Sequence, residues 1–193
     1  MLGNLKLKNL SKLINLNGKT PEPTSILIVE DDELIQEQWL LSIKNRPNIN
    51  VETSSGIRSA LKKVEDADIL ILDWRLGEQS GETILARWLD FHAGNPCVVI
   101  SGHVTKALKE QLLLSGVFNV YEKHLNLGVL NRTVGRYTRE VRAFNALKVQ
   151  RQEIATLRRS VFYLYCISLS LVVAFFASGN GKEIWELIKG ILL

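Results

Sequence analysis

Short apolar runs recur along the first two thirds of the chain, and stretches with helical spacing separate them. The runs are Ser25–Val29, Asn48–Thr53, Asp68–Leu72, Pro96–Ile100 and Val117–Tyr121. Such runs are typical of strands buried in a parallel sheet, and the helices between them supply the crossover connections. The pattern therefore predicts an α/β fold, a flavodoxin-like doubly wound sheet of five parallel strands in the order 2-1-3-4-5.

Helical spacing predicts four helices between these runs and one long helix after them. The four are Glu33–Lys44, Ile57–Glu65, Glu82–Phe91 and Thr105–Leu114, and the long helix begins near Leu127. In the long helix an apolar residue recurs every seven positions, with an interleaved set three residues further on: Leu147, Ile154 and Val161, then Leu157 and Leu164, with Gln150 as the exception. Two heptads leave two interpretations open, a single helix leading out of the domain or a short dimerising coiled coil.

The segment Val161–Ser178 contains no charged residue over eighteen positions. At about 1.5 Å rise per residue it spans roughly 27 Å, close to the thickness of a bilayer core. We therefore predict a transmembrane helix; the alternative is a buried dimer-interface helix of a soluble protein. Basic residues precede the segment at Lys148, Arg151, Arg158 and Arg159. The positive-inside rule then predicts a single-pass inner-membrane protein with residues 1–160 in the cytoplasm.

Composition narrows the choice of partners. The net charge of +4 is modest, so we expect an anionic membrane surface rather than nucleic acid as a partner. The two cysteines, Cys97 and Cys166, lie in unrelated contexts and form neither a disulfide framework nor a metal-binding spacing.

Acidic and other polar residues follow the ends of four predicted strands. These are Glu30, Asp31 and Asp32 after the first strand, Asp73 after the third, Ser101 after the fourth and Lys123 after the fifth. Carboxyl ends of adjacent parallel strands border one crevice, and clustered carboxylates repel each other without a cation. Their hard oxygen ligands suit Mg²⁺. Asp73 is then placed as a nucleophile toward a phosphoryl group, with Lys123 and Ser101 stabilising that group.

This set of residues resembles the receiver domain of two-component response regulators, over the region from about Thr24 to Tyr137. The resemblance rests on the acidic pair in VEDDE, Asp73 in ILDWRLGEQSG, Ser101 in VISGH and Lys123 in VYEKH. It implies phosphorylation of Asp73 by a histidine kinase, a phosphotransfer protein or a small phosphodonor. It also implies Mg²⁺ held by Asp31, Asp32, Asp73 and the Trp74 carbonyl, and a switch made of Ser101 and Tyr121.

One position departs from the family pattern, because His124 stands where the family usually has a proline after the lysine. A cis bond before histidine costs about 2.5–4 kcal/mol, so the loop either has a trans bond and a different shape or offsets that cost by packing.

The resemblance and the apolar segment together predict five parts: a basic amphipathic segment and linker (1–24), a receiver (25–137), an extended helix or short coiled coil (138–160), a transmembrane helix (161–178) and an amphipathic helix (179–193). We expect a membrane-anchored response regulator that signals through changed association of its C-terminal helices and forms a homo-oligomer. Its only catalysis would be its own phosphorylation and dephosphorylation. The alternative is an unphosphorylated receiver-like interaction module that carries an oligomerising membrane effector segment.

Overall fold

The computed structural model describes residues 23–177 together with Gly181 and Glu186. Its main sheet is built from five strands: β1 (Thr24–Val29), β2 (Ile49–Ser54), β3 (Ile69–Asp73), β6 (Cys97–Ser101) and β7 (Asn119–Glu122). The predicted N-terminal amphipathic segment lies outside the described residues. So does the predicted C-terminal helix, apart from its Gly181 and Glu186.

The strands of this sheet are all parallel and lie in the order β2-β1-β3-β6-β7. The predicted order 2-1-3-4-5 is therefore confirmed, and each strand begins and ends within two residues of its predicted bounds. A short antiparallel hairpin, β4 (Arg75–Leu76) and β5 (Gln79–Ser80), follows β3 and was not predicted. It turns through Gly77, whose φ of +61° favours glycine.

The helices described are α1 (Glu33–Ile43), α2 (Ile57–Leu61), α3 (Glu82–Phe91), α4 (Lys106–Leu114) and α5 (Leu127–Ala177). A 3₁₀ turn at Val64–Asp66 follows α2, so the single helix predicted over Ile57–Glu65 is divided in two. The long helix predicted from Leu127 begins at that residue.

The core has two layers, because neighbouring residues of each strand point to opposite faces of the sheet. Leu27, Leu70 and Val99 pack on one face with Ile84 and Trp88 of α3. The other face carries Ile26, Ile28, Ile69, Ile71, Val98 and Ile100, together with side chains of α1 and of the first turns of α5. Both faces of the sheet are therefore covered, as the continuous apolar strands require.

The chain divides into two compact units, and the division falls between Ala146 and Leu147. In the second unit, the apolar side chains from Val161 to Phe175 are mostly exposed, with fractions of 40–66% for the largest of them. One helix of the described chain is long and apolar enough to cross a membrane, judged by length and composition, and none of its apolar window is buried.

Candidate functional site

Asp73 is the last residue of β3, the central strand of the sheet, and its side chain is fully buried at the carboxyl edge. The neighbouring strands hold it in register, since β1 and β6 flank β3 on either side. One of its oxygens, Oδ1, accepts a hydrogen bond from the Arg75 amide at 3.2 Å. Because this carboxylate is buried, the groups that contact it decide its chemistry.

Lys123 supplies the positive charge of the site. Its ammonium lies 2.7 Å from Asp73 Oδ2 and 2.9 Å from Glu30 Oε1. The lysine follows β7 directly, and its amide donates to the Ser101 carbonyl at 2.9 Å, which ties the loop to the end of β6. The described residues contain no cis peptide bond. The bond before His124 is therefore trans, and Lys123 reaches Asp73 with that geometry.

Three carboxylates converge beside this ammonium. Glu30, Asp31 and Asp73 each offer an oxygen, and these oxygens all lie within 4.8 Å of one another. Asp31 is exposed, and its Oδ2 accepts a hydrogen bond from the Gly77 amide at 2.8 Å, so the β4–β5 hairpin helps to orient it. Glu30 is buried, and its Oε2 has no hydrogen-bond partner among the described residues.

The charges perturb one another. The pKa of Glu30 is raised to about 7. Burial is the main cause and the charge of Asp73 adds to it, while the hydrogen bonds from Lys123 and the Asp32 amide act in the opposite direction. Burial by itself would lower the pKa of Lys123, but its close contacts with the carboxylates of Asp73 and Glu30 outweigh burial and raise it. The site therefore holds excess negative charge that one lysine does not fully neutralise.

Asp32, predicted as a metal ligand, takes a different place. Its side chain caps α1 by accepting hydrogen bonds from the amides of Leu34 and Ile35 at 2.9 and 3.1 Å. Glu30 belongs to the cluster in place of Asp32, although it was not predicted as a metal ligand. One sequence signal favours this arrangement, because an aspartate directly before the first helical residue is a typical N-cap.

Trp74 and Ser101 lie at the ends of the strands as predicted, but their polar atoms have other contacts. The Trp74 carbonyl accepts a hydrogen bond from the Gly81 amide at 2.8 Å. The Ser101 hydroxyl lies 3.3 Å from both the amide and the carbonyl of His103, so it faces the loop that follows β6. Their proposed roles toward metal and phosphoryl group stay predictions.

Tyr121 lies on β7 and packs against the core layer that includes α5. Its hydroxyl is 3.0 Å from the hydroxyl of Thr133, a buried residue of α5. Thr133 could not be recognised from the sequence, since a single threonine within a helix carries no distinctive spacing. The contact joins the predicted aromatic switch residue to the helix that follows the sheet.

The comparison that decides the family is with a model of the response regulator receiver domain, which matches residues 26–134. This chain belongs to the response regulator receiver domain family. The receiver accounts for more than half of the chain, and the matched region contains all three clustered carboxylates and Lys123. No curated protein matches the chain.

Solved receivers share the fold at low sequence identity. A signal receiver domain from Vibrio parahaemolyticus is 21% identical with a TM-score of 0.58, covering 65% of this chain and 97% of its own. A CheY-like receiver from Methanospirillum hungatei JF-1 is 20% identical with a TM-score of 0.57, covering 62% and 97%. A Burkholderia pseudomallei response regulator, solved with a phosphorylated aspartic acid, calcium ion and citrate, is 21% identical with a TM-score of 0.52, covering 67% and 72%.

The oxygens of the receiver's acidic pocket suit a divalent cation. Glu30 Oε2 is a buried oxygen without a hydrogen-bond partner among the described residues, and Asp73 Oδ2 receives the Lys123 ammonium at ion-pair distance without an aligned hydrogen bond. Mg²⁺ prefers one or two carboxylates and keeps several waters, and the exposure of Asp31 leaves room for those waters. The pocket therefore fits the cation that receivers bind.

Proposed function

We propose that this protein is a membrane-anchored response regulator receiver that accepts a phosphoryl group on Asp73 in a Mg²⁺-dependent phosphorelay. The observation that carries the proposal is the contact of a buried Asp73 with Lys123 inside a cluster of three carboxylates. A purely structural aspartate would not require two further acids beside it, since their repulsion costs stability. Membership of the receiver family supports the same chemistry.

In the proposed reaction a carboxylate oxygen of Asp73 attacks the phosphorus of a phosphohistidine or a small phosphodonor. A bond forms between that oxygen and phosphorus, and the bond from phosphorus to the donor atom breaks, with the electron pair leaving on the donor. Lys123, at 2.7 Å from Asp73 Oδ2, is placed to contact an oxygen of the transferred group. The Ser101 hydroxyl would turn away from His103 and donate a hydrogen bond to the same group.

Glu30, Asp31 and Asp73 are the residues that would hold the cation. When bound, Mg²⁺ would neutralise charge on the oxygens of the transferring group. This assignment replaces Asp32, whose carboxylate caps α1, by Glu30. The Trp74 carbonyl accepts one hydrogen bond from the Gly81 amide and has a second lone pair, so it stays a proposed ligand. The solved Burkholderia pseudomallei regulator contains a phosphorylated aspartic acid and a calcium ion, which is compatible with a shared acidic pocket.

For the output we propose that Ser101 and Tyr121 rearrange when Asp73 is phosphorylated, and that the change reaches α5. The hydrogen bond between the hydroxyls of Tyr121 and Thr133 supports this route, because any movement of the tyrosine ring changes a part-buried contact of that helix. The phosphoryl donor would be a histidine kinase or a phosphotransfer protein. The apolar part of α5 would cross the inner membrane once, with the receiver in the cytoplasm and a homo-oligomer formed through the helix.

The test is phosphorylation of the purified full chain by acetyl phosphate, read by intact mass. We expect the wild type to gain one phosphoryl group with Mg²⁺ and none with a chelator. Asp73→Asn should gain none, whereas Asp90→Asn, the same change on the exposed surface of α3, should behave as the wild type does.

A second pair of variants tests the metal ligands. Asp31→Asn should raise the Mg²⁺ concentration needed for half-maximal phosphorylation by about tenfold or more, the range that disturbing a metal site typically costs. Asp32→Asn should leave it unchanged, because asparagine also caps helices. Absence of a phosphoryl group on the wild type, with acetyl phosphate and with kinases alike, would favour the unphosphorylated interaction module instead.

A further inference from the structure

The part of α5 that precedes the candidate membrane span carries an uncovered apolar stripe. Leu147, Ile154 and Leu157 are exposed by 56%, 45% and 65% of their surfaces, although they lie outside the uncharged segment. A membrane does not account for these residues, because basic residues follow them before the span begins. Large apolar side chains at one helical face in water are costly unless another surface covers them.

The spacing of the stripe indicates what covers it. Leu147, Ile154 and Val161 occupy one heptad position, and Gln150, Leu157 and Leu164 occupy the position three residues further on. β-branched residues at the first of these positions and leucine at the second favour two-stranded parallel coils. Gln150 is a polar residue in the seam, of the kind that fixes register at some cost in stability.

The charges beside the seam are complementary for one arrangement of two copies. Glu153 directly precedes Ile154 on one edge of the stripe, and Arg158 directly follows Leu157 on the other edge. In a parallel in-register coil, a residue on the first edge of one helix faces the residue of the other helix whose number is five higher. Glu153 and Arg158 have that offset. An antiparallel pair would instead bring like edges together, so Glu153 of one copy would not face Arg158 of the other.

We propose that residues 147–164 of two copies pair as a parallel, in-register coiled coil in which Glu153 of each copy faces Arg158 of the other. The proposal rests on the proposed homo-oligomer and specifies its partner, direction and register. A single membrane crossing from the same side would also align the two helices in parallel. Glu153 has an interaction within its own chain as well, and its two oxygens allow it to accept a second donor.

Disulfide trapping of the full chain in membranes tests the direction and register. In a Cys166→Ser background, Leu147→Cys and Leu157→Cys each place a thiol in the seam, and Lys148→Cys and Arg159→Cys place matched thiols away from it. Because only seam positions bring two Cβ atoms to disulfide distance, we expect both seam variants to give about tenfold more linked dimer than both controls. An antiparallel pair cannot link at both seam positions, which are ten residues apart.

Charge reversal tests the pairing of side chains. Glu153→Lys and Arg158→Glu should each lower the dimer fraction by about two- to fivefold, because each removes both exposed ion pairs of the symmetric dimer, and the double reversal should restore it. Arg151→Glu is the control, because the residue that faces Arg151 in the other copy is the uncharged Ala146. Adding Glu153→Lys to Arg151→Glu should not restore the dimer fraction. Failure of the double reversal to restore the dimer would overturn the pairing.

The outcomes separate this proposal from the broader one. A dimer by mass that links at Lys148→Cys or Arg159→Cys but not at the seam would overturn the coil while leaving a homo-oligomer in place. A monomer by mass would overturn both the coil and the proposed homo-oligomer. Neither outcome affects the phosphorylation of Asp73, which is read by intact mass.

Discussion

Two apolar runs of this chain have similar composition and opposite surroundings. The run from Ile69 to Leu72 in β3 is fully buried, because α1, α3 and the first turns of α5 cover the two faces of its sheet. The run from Val161 to Phe175 in α5 is exposed along nearly its whole length in the described protein. The first run finds all of its packing partners within the chain. The other described residues leave the second run largely exposed, and under the proposed function lipid or another copy would cover it.

The acidic site and the apolar helix therefore differ in what their functions depend on. The acidic site lies at the end of the self-sufficient run, so its geometry depends only on residues of the receiver, chiefly the contacts of Asp73 with Lys123 and the neighbouring carboxylates. Under the proposed function, the apolar helix acts together with a membrane or another copy. Experiments on the site therefore need the protein, a phosphodonor and Mg²⁺, whereas those on the helix need a membrane or a detergent.

The comparison is most sharply tested by the same substitution in each run. Leu70→Ala removes a fully buried side chain, and we expect the free energy of unfolding of the receiver to fall by about 2–5 kcal/mol. Leu169→Ala acts on a side chain that is half exposed and should change that free energy by less than about 0.5 kcal/mol. Urea unfolding of the full chain in mild detergent, followed by tryptophan fluorescence, measures both.

Equal losses in the two variants would contradict the comparison, since they would mean that Leu169 contributes to the receiver's core. A small loss in both would mean that the layer around Leu70 collapses to fill the cavity, which the close packing of protein interiors opposes.

A smaller effect on the free energy of unfolding is expected from Glu30, the buried acid that follows β1. Glu30 has its pKa raised from 4.5 to about 7 in the folded protein. Between these pH values the folded state retains a proton that the unfolded state has lost, so Glu30 makes the free energy of unfolding fall as the pH rises. Below pH 4.5 and above about 7 its contribution is constant. Glu30→Gln should remove this part of the slope.

The measurement is urea unfolding of wild type and Glu30→Gln from pH 4.5 to 7.5 in the presence of a chelator. Subtracting the two curves cancels the titrating groups that lie away from Glu30, and leaves Glu30 together with its neighbours Asp73 and Lys123. The wild type should lose stability relative to the variant as the pH rises. A difference that stays flat, or that grows in favour of the wild type, would mean that burial does not dominate the environment of Glu30.

Much of the buried half of the molecule could be predicted from the sequence, because apolar periodicity records which faces are covered. The strand order follows from apolar runs separated by helices, and the end of each run locates Asp73, Ser101 and Lys123. It was harder to predict which acids of the stretch after β1 belong to the pocket. Periodicity does not distinguish Glu30 from Asp32, and only the capping of α1 by Asp32 shows which acids remain for the pocket.

Other contacts could not be predicted, because they depend on the meeting of distant segments. The hairpin that holds Asp31 through the Gly77 amide is too short to leave a periodic pattern. The hydrogen bond between Tyr121 and Thr133 joins a strand to a helix whose rotation the sequence does not fix. Periodicity in α5 predicts its apolar stripe well but leaves open which surface covers the stripe.

The smallest predicted effect concerns the start of α5, which receiver side chains hold in place. Arg46 lies across the helix beside Gly135 and donates to the side chain and carbonyl of Asn131, at 2.8 Å from Nε and 2.6 Å from Nη2. A Cβ on Gly135 would collide with the Arg46 guanidinium. In the wild type, Gly135→Ala should therefore gain helix propensity but displace Arg46, and the two effects should nearly cancel.

Without Arg46 the collision disappears, so in an Arg46→Ala background the same Gly135→Ala change should raise the free energy of unfolding by about 0.8–1 kcal/mol, the difference in helix propensity between glycine and alanine. The four proteins form a double-mutant cycle that can be measured by urea unfolding. A coupling near zero would mean that Arg46 moves aside at no cost and does not hold α5. A coupling of about 1 kcal/mol would show that Arg46, a receiver side chain, fixes the first turns of α5.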